Sequence, residues 1–387
     1  MKIVHVLPAL TKGGGERVAV ELANHAAQIG HQVTLLAGWP VDPALLQDAL
    51  HPEVCVLYVS NSAVSKVGRY FSIIPWLWRH RLWLANQDIL HCHLTYGGIF
   101  GTIVKALRSG KQPSIVETYH AVGMPIPWLK RWFHACLAAH RDAIVLMAED
   151  VFWCQFLIRH PNLLSKFIPN GISISGTKCI KEAQKISYRR EIGIPENCGF
   201  VIGSVGRMAP DRKPWLYLPI FVEIARVLGP EVHFVIGGDG SELDRMNELV
   251  IEHGLEGRVH LPGLVLDPSL PFSIMDLYVT LNLGKFTGMA AMEAASSGIP
   301  VLGIQLLPSY NPGANDWIWS SSDPLELAGQ AITLIQSPTD RQALAERQNA
   351  YVRDHHTTEA MARSYYALYQ DSIQRLQAKA NGTHRKN

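Results

Sequence analysis

No apolar run in this 387-residue sequence approaches the roughly 18 residues that a membrane-spanning helix needs. The six cysteines (Cys55, Cys92, Cys136, Cys154, Cys179, Cys198) include no Cys-x-x-Cys pair. That scatter excludes a disulfide framework and predicts reduced, mostly buried thiols. The Gly13-Gly14-Gly15 loop lacks the Gly-x-Gly-x-x-Gly spacing of a dinucleotide site, which argues against a dehydrogenase. There is no Asp-x-Asp pair to hold a metal-bound diphosphate, and no metal or cofactor is expected. The formal charge is only +2, so the global balance names no polyanionic partner. Nothing resembles a nucleic-acid reading motif. Short repeats and low-complexity tracts are also missing. Met1 leads directly into a strand-like run, Ile3–Leu7, so no signal peptide is expected and the predicted location is cytoplasmic.

What is present is ordinary globular material. Nearly half the residues are apolar (48%), enough for two cores, and the length favours two domains. Apolar runs alternate with helical spacing. The strands read as Ile3–Leu7, Val33–Ala37, Val54–Val59, Ile89–Cys92, Ser114–Thr118 and Ala143–Met147. In the second half they are Phe200–Val205, Val232–Ile236, Val259–Leu261, Leu277–Thr280 and Ile299–Leu302. Helical spacing follows at Glu16–Ile29, Trp215–Leu228 and Glu242–His253, and again at Thr357–Leu376. Such alternation implies parallel sheets covered on both faces. The expected fold is α/β, two Rossmann-like doubly wound domains facing across a cleft. The divisions are an N-terminal domain 1–169, a C-terminal domain 170–360, a helix 361–380 returning to the first domain, and a tail 381–387.

In doubly wound sheets ligands bind at the carboxyl ends of the strands. The glycine loop, His120, Gly206-Arg207 and Gly238-Asp239-Gly240 all fall at such ends. Arg207, with Arg212 and Lys213 five and six residues on, puts cations at one strand mouth, where they can grip a diphosphate; a solvated loop is the plain alternative. Phe286 to Glu293 opens a helix with Thr287 as candidate N-cap, and Gly288 lets an anion approach the free N–H groups. Glu293, almost two turns in, can accept both hydroxyls of a ribose.

Taken in order, these segments resemble glycosyltransferase family 4, of the GT-B fold. The resemblance runs from Met1 to about Leu376. It rests on Gly13 to Arg17, Val116-Glu117-Thr118-Tyr119-His120, Ile168-Pro169-Asn170-Gly171, Val205-Gly206-Arg207 with Arg212-Lys213, Gly238-Asp239-Gly240, Val259 to Gly263, and Gly288 to Glu293 with Gly298-Ile299-Pro300-Val301. It implies catalytic roles for His120, Arg207 and a cation at Arg212 or Lys213; by register Arg212 matches the family's lysine. It implies donor binding by Gly14, Gly15, Gly206, Gly238, the backbone at Leu264 and Val265, Lys285, Thr287, Gly288, Met289, Ala290 and Glu293. Glu16, His93 and Tyr119 fall on the acceptor side. The implied activity is retaining transfer of a sugar from a UDP- or GDP-type nucleotide-sugar to a growing cell-surface glycan or lipid-linked acceptor.

One position departs from the pattern. The family carries two glutamates eight positions apart, and Lys285 stands where the first belongs. A lysine reverses the local charge. It fits an acidic sugar or an extra phosphate, and it also fits a catalytically silent nucleotide-sugar-binding partner subunit. A sugar-nucleotide epimerase shares the fold and is a third reading. His91 and His93 put two imidazoles on one side of a strand, but no third ligand is evident, so a structural role is expected.

From Ser60 to Arg141 ten Lys and Arg (Lys66, Arg69, Arg79, Arg81, Lys105, Arg108, Lys111, Lys130, Arg131, Arg141) face two acids, Asp88 and Glu117. Aromatics interleave with these cations around Phe71–Trp83 and Trp128–Phe133. Peripheral contact with an anionic membrane is therefore expected. The alternative is that Trp128, Leu129, Trp132, Phe133 and Leu137 pack on the sheet.

Overall fold

The computed structural model describes the chain except residues 12, 41–49, 62–63, 108–111, 121–126, 148–149, 175–179, 266, 268, 283–287, 306–316 and 384–387. The chain divides into two units. Unit 1 is Met1–Ser173 with Thr358–Asn387, and unit 2 is Ile174–Thr357.

Unit 1 holds a seven-stranded sheet: β1 (Lys2–Leu7), β2 (Gln32–Ala37), β3 (Cys55–Tyr58), β4 (Ile89–His93), β5 (Ser114–Tyr119), β6 (Ala143–Leu146) and β7 (Leu164–Phe167). Their order is β3-β2-β1-β4-β5-β6-β7, and every pairing is parallel. Parallel strands need crossovers that cover both faces, so the central strands are buried throughout. β4, β5 and β6 have no residue that reaches solvent freely. The helix Gly14–Gln28 buries Val18, Ala19, Leu22, Ala23, Ala26 and Ala27 on one stripe, and Gly30 ends it with φ +82°. The last helix, Thr358–Thr383, buries Met361, Ala362, Tyr365, Leu368, Tyr369 and Ser372 against Gly14–Gln28 and β5.

Unit 2 holds six parallel strands: β8 (Phe200–Val205), β9 (Val232–Gly237), β10 (Val259–His260), β11 (Leu277–Asn282), β12 (Val301–Gln305) and β13 (Trp319–Ser321). Their order is β10-β9-β8-β11-β12-β13. The core gathers Ile202, Phe221, Ile224, Phe234, Ile236, Leu277 and Leu302, all buried. In each sheet the strand order reverses beside its first strand, at β1/β4 and at β8/β11. Those switch points open the crevices where such folds bind ligands.

Two edge strands, β7 and β13, escape the sequence reading because they are only four and three residues long and half-buried. The helix expected over Trp215–Leu228 is a 3-10 turn, Pro214–Tyr217, followed by an α-helix, Leu218–Leu228. Pro219 explains the break, since it has no N–H to donate back into the preceding turn. The cysteines are less buried than expected. Of the five described, Cys92 alone is buried, while Cys55 and Cys136 are exposed.

Candidate functional site

In unit 2 the ends of β8 and β9 are laced together through backbone. Gly206 N donates to Gly237 O (2.9 Å), Met208 N to Asp239 O (2.9 Å), and Glu242 N to Met208 O (3.0 Å). Gly238 N donates to Gly263 O (2.8 Å), which ties in the loop carrying Leu264 and Val265. Gly238 (φ +143°) and Gly240 (φ +151°) hold backbone shapes that side chains rarely adopt. The lattice presents Arg207 outward. Its Nη2 lies 2.8 Å from Asp211 Oδ2, and the side chain is 59% exposed. A pair so exposed adds little to stability, so folding does not account for Arg207.

The next two cations differ. Arg212 Nε stands 3.9 Å from the same Asp211 carboxylate. Lys213 takes a left-handed backbone, φ +49° and ψ +54°, between the 3-10 turns Pro210–Arg212 and Pro214–Tyr217. That shape suits glycine, so its backbone gives position 213 a turn-forming duty whatever its ammonium does.

Across the switch point the helix Met289–Ser296 starts from Gly288, which is the N-cap. This corrects the assignment of the cap to Thr287, which lies with Lys285 outside the described residues. Among the described residues position 288 is open, and a Cβ there would meet none of their heavy atoms within 4 Å. Met289 and Ala290 form the first turn, with N–H groups characteristic of anion sites. Glu293 is half-buried on the same helix. Burial pushes the Tyr278 phenol up to about 12, and the Glu293 carboxylate adds to the shift. Tyr278 donates to Val205 O (3.0 Å) and accepts from Val205 N (3.1 Å). Glu293 is therefore in electrostatic reach of the end of β8, beside Gly206.

In unit 1 the glycine loop caps the helix Gly14–Gln28 with Gly13. Glu16 folds back on this helix start and accepts from the Thr11 hydroxyl (3.1 Å). Its carboxylate serves its own N-terminus, where negative charge is favoured. Gly14 is open, whereas a Cβ on Gly15 would stand 3.2 Å from His120 Cγ and 3.1 Å from Leu94 Cδ2. The loop thus rests against His120 at the end of β5.

Behind His120 lies a buried histidine cluster that sequence reasoning saw only in part. His5 of β1 joins His91 and His93 of β4, and these three offer ring nitrogens within 4.8 Å of one another. This corrects the expectation that no third imidazole stands nearby. Five of the six ring nitrogens are already engaged. His5 Nδ1 meets His93 Nε2 at 3.0 Å, and His93 Nδ1 meets His120 Nε2 at 3.1 Å. His91 Nε2 meets Thr118 Oγ1 at 2.8 Å, and its Nδ1 meets Tyr369 OH at 2.7 Å. A cation would have to displace these bonds. Burial lowers the pKa of His5 to about 3 and of His120 to about 4, and holds His91 and His93 well below 6.5, so the rings are neutral near pH 7. The signal available in the sequence was three histidines at interior positions of apolar strands.

Two acceptor-side expectations are corrected by burial. His93 is fully buried and touches His120 instead of solvent. Tyr119 packs with Trp153 (4.2 Å between centroids) and places its hydroxyl on His134 O (3.3 Å). The basic excess of this half also shrinks. Arg141 is sealed against Glu117, Nε to Oε2 2.5 Å, and Lys105 pairs with Asp142 at 2.7 Å. Arg108 and Lys111 lie outside the described residues. The aromatics nevertheless face outward. Ile74, Trp78 and Leu82 form an exposed stripe on the helix Ile73–Ala85. Trp128, Leu129, Trp132 and Phe133 are exposed on the helix Trp128–Ala138, and of the residues named for sheet packing only Leu137 is buried. No helix among the described residues is long and apolar enough to cross a membrane.

Residues 12–175 match the family described as Glycosyltransferase Family 4, and residues 199–337 match Glycosyl transferases group 1. The O-antigen biosynthesis glycosyltransferase WclY of Escherichia coli is 22% identical over 59% of this chain, a span equal to 61% of that protein. The N-acetyl-alpha-D-glucosaminyl L-malate synthase of Bacillus anthracis is 20% identical over 93% of this chain and 94% of its own length. Among solved structures, Anabaena HepE in complex with UDP and glucose superposes with a TM-score of 0.75 at 19% identity, covering 96% of this chain and all of that one.

Proposed function

The chain belongs to glycosyltransferase family 4, and from that premise we propose that it transfers a sugar, with retention, from a UDP- or GDP-type donor to a growing cell-surface glycan or lipid-linked acceptor. The observation that carries the reading is Arg207, an exposed cation held at a strand end by a backbone lattice and not used by the fold. In this reading Arg207 and Arg212 take the donor diphosphate, and Met289 and Ala290 add backbone N–H groups. Gly206 and Gly238 keep the backbone close to the phosphates. Glu293 takes the ribose, and the backbone at Leu264 and Val265 takes the base. By the family resemblance, Gly14 and Gly15 are assigned to donor binding and His120 to the transferred sugar. UDP in the HepE structure supports a uridine donor, and the O-antigen role printed for WclY supports a glycan acceptor.

The chemistry asks for stabilisation of a departing anion. The acceptor hydroxyl oxygen bonds to the anomeric carbon on the face that the diphosphate leaves. The bond from that carbon to the phosphate oxygen breaks, and the same phosphate takes the acceptor's proton. Glycoside and nucleoside diphosphate result, and in this reading the guanidinium groups of Arg207 and Arg212, without a metal, stabilise the charge of the departing diphosphate. Lys285, in place of a glutamate, motivates a second reading, a silent nucleotide-sugar-binding subunit.

Calorimetry and mass spectrometry against UDP-, GDP-, ADP- and CDP-sugars test both. One tight donor with slow hydrolysis is expected. Binding without turnover, even with membrane extract supplied, favours the silent subunit, and no binding to any donor overturns the assignment. The outward Ile74, Trp78 and Leu82, beside exposed Arg79 and Arg81, support peripheral contact with an anionic membrane. Co-sedimentation with anionic but not neutral vesicles is the expected result.

A further inference from the structure

We propose that His5 and His93 form a buried positioning relay that decides which ring nitrogen of His120 carries its proton. The proposal rests on the reading above for its purpose, because His120 is there the group that addresses the donor sugar.

Three rings stand in one hydrogen-bonded row. His5 Nδ1 meets His93 Nε2 at 3.0 Å, and His93 Nδ1 meets His120 Nε2 at 3.1 Å. A neutral imidazole has one N–H and one lone pair, on opposite nitrogens. Each bond in the row consumes one of each. Only two neutral arrangements therefore satisfy both bonds. In the first, His5 Nδ1–H donates to His93, His93 Nδ1–H donates to His120 Nε2, and His120 carries its proton on Nδ1. In the second every donor is reversed, and His120 offers a lone pair at Nδ1. A change at His5 is thus felt at His120 without any movement of backbone.

The row is held rigidly. His93 stays extended (φ −122°, ψ 139°) while the next residue, Leu94, is forced to φ +60° so that the helix Leu94–Ala106 starts at once. A leucine in that region is strained, and strain of this kind collects where a side chain must be fixed. His91 buttresses the row, its ring 4.0 Å from that of His93, and is itself gripped by Thr118 and Tyr369. Gly15 rests against His120, where a Cβ would stand 3.2 Å from the ring Cγ. The far end is open in a chemical sense: His120 Nδ1 is buried with no hydrogen-bond partner among the described residues. An unpaired buried nitrogen is costly, so the end of the row is primed for a hydroxyl. A sugar hydroxyl meets either arrangement, but only with its own proton placed to match. His5 and His93 are in this sense positioning residues, because they reach the sugar only through His120.

The test is nitrogen-15 NMR on histidine-labelled protein near pH 7. In the wild-type chain His120 is expected to show a single tautomer, with couplings across both histidine–histidine hydrogen bonds. His5→Phe and His93→Gln are expected to leave His120 as a mixture of tautomers and to lower kcat about tenfold with little change in donor KM. His93→Asn, whose amide replaces Nδ1 beside His120, is expected to recover more activity than His93→Gln. Mixed tautomers at His120 in the wild type, or missing couplings, overturn the relay even if the variants do not fold. So does an unchanged His120 spectrum in folded His5→Phe, or a tightly held metal ion on the cluster in the purified protein. A chain that transfers no sugar yet shows the single tautomer and its loss in His5→Phe sinks the functional reading and leaves the relay standing.

Discussion

The carbonyl oxygen of Gly206 lies 1.9 Å from the point where a Cβ on Gly238 would sit. No side chain fits there without parting β8 from β9, and Gly238 also holds φ +143°. Gly238→Ala is expected to cost about 3 kcal/mol from overpacking and backbone strain together. Because the lattice that carries Arg207 runs through these two residues, donor affinity is expected to fall as well. Denaturant unfolding and donor calorimetry on the same variant check both effects.

Arg212 and Lys213 should separate cleanly. Arg212→Ala removes a charge-assisted contact to phosphate and is expected to weaken donor binding by about tenfold or more, as are Arg207→Ala and Glu293→Ala. Lys213→Gly relieves a left-handed lysine, so it is expected to stabilise unit 2 by about 1 kcal/mol and leave donor affinity nearly unchanged. A large loss of affinity in Lys213→Gly, with none in Arg212→Ala, reverses the two roles. Unchanged affinity in both Arg207→Ala and Glu293→Ala sinks the donor site as a whole.

Arg141 and Glu117 make a buried pair, with side chains 0% and 2% exposed. Arg141 Nη2 also donates to Gly98 O (2.5 Å) and Thr102 Oγ1 (3.1 Å). Arg141→Met leaves a carboxylate sealed without its partner and is expected to cost about 3–5 kcal/mol. The double variant with Glu117→Gln is expected to recover part of that loss. Equal unfolding midpoints for the single and double variants would show that the pair is not the source of the cost.

Much of this was legible in the sequence, and the misses have physical causes. The central strands read clearly because parallel strands buried on both faces are continuous apolar runs, as in Ala143–Leu146. β7 and β13 are short edges where that signal fades. Arg207 and Gly238 were legible because a strand end followed by glycine or a cation is a local pattern. The partnership of His5 with His93 was not, since 88 residues separate them and only the order β1-β4 brings them together. Arg141 misled for the same reason: a charge counts toward a surface until its partner, here on a neighbouring strand 24 residues back, is located.

The histidine row also sets how unit 1 responds to acid. Unfolded His5 takes up a proton near pH 6.5, but in the folded chain burial delays that until about pH 3. Between those values the unfolded state binds one more proton than the native state. Stability therefore rises with pH in that window and is lost as the pH falls through it. The slope for one such group is about 1.4 kcal/mol per pH unit. His91, His93 and His120 are shifted in the same direction by burial, so they steepen the loss. Unit 1 is expected to unfold on mild acidification well before its carboxylates titrate. His5→Phe lowers stability at pH 7 through its lost hydrogen bond to His93, yet it is expected to flatten the dependence by about one proton between about pH 6 and 4. Denaturant unfolding at closely spaced pH values measures that slope directly, and a slope unchanged by the substitution would mean that His5 is not shifted by burial.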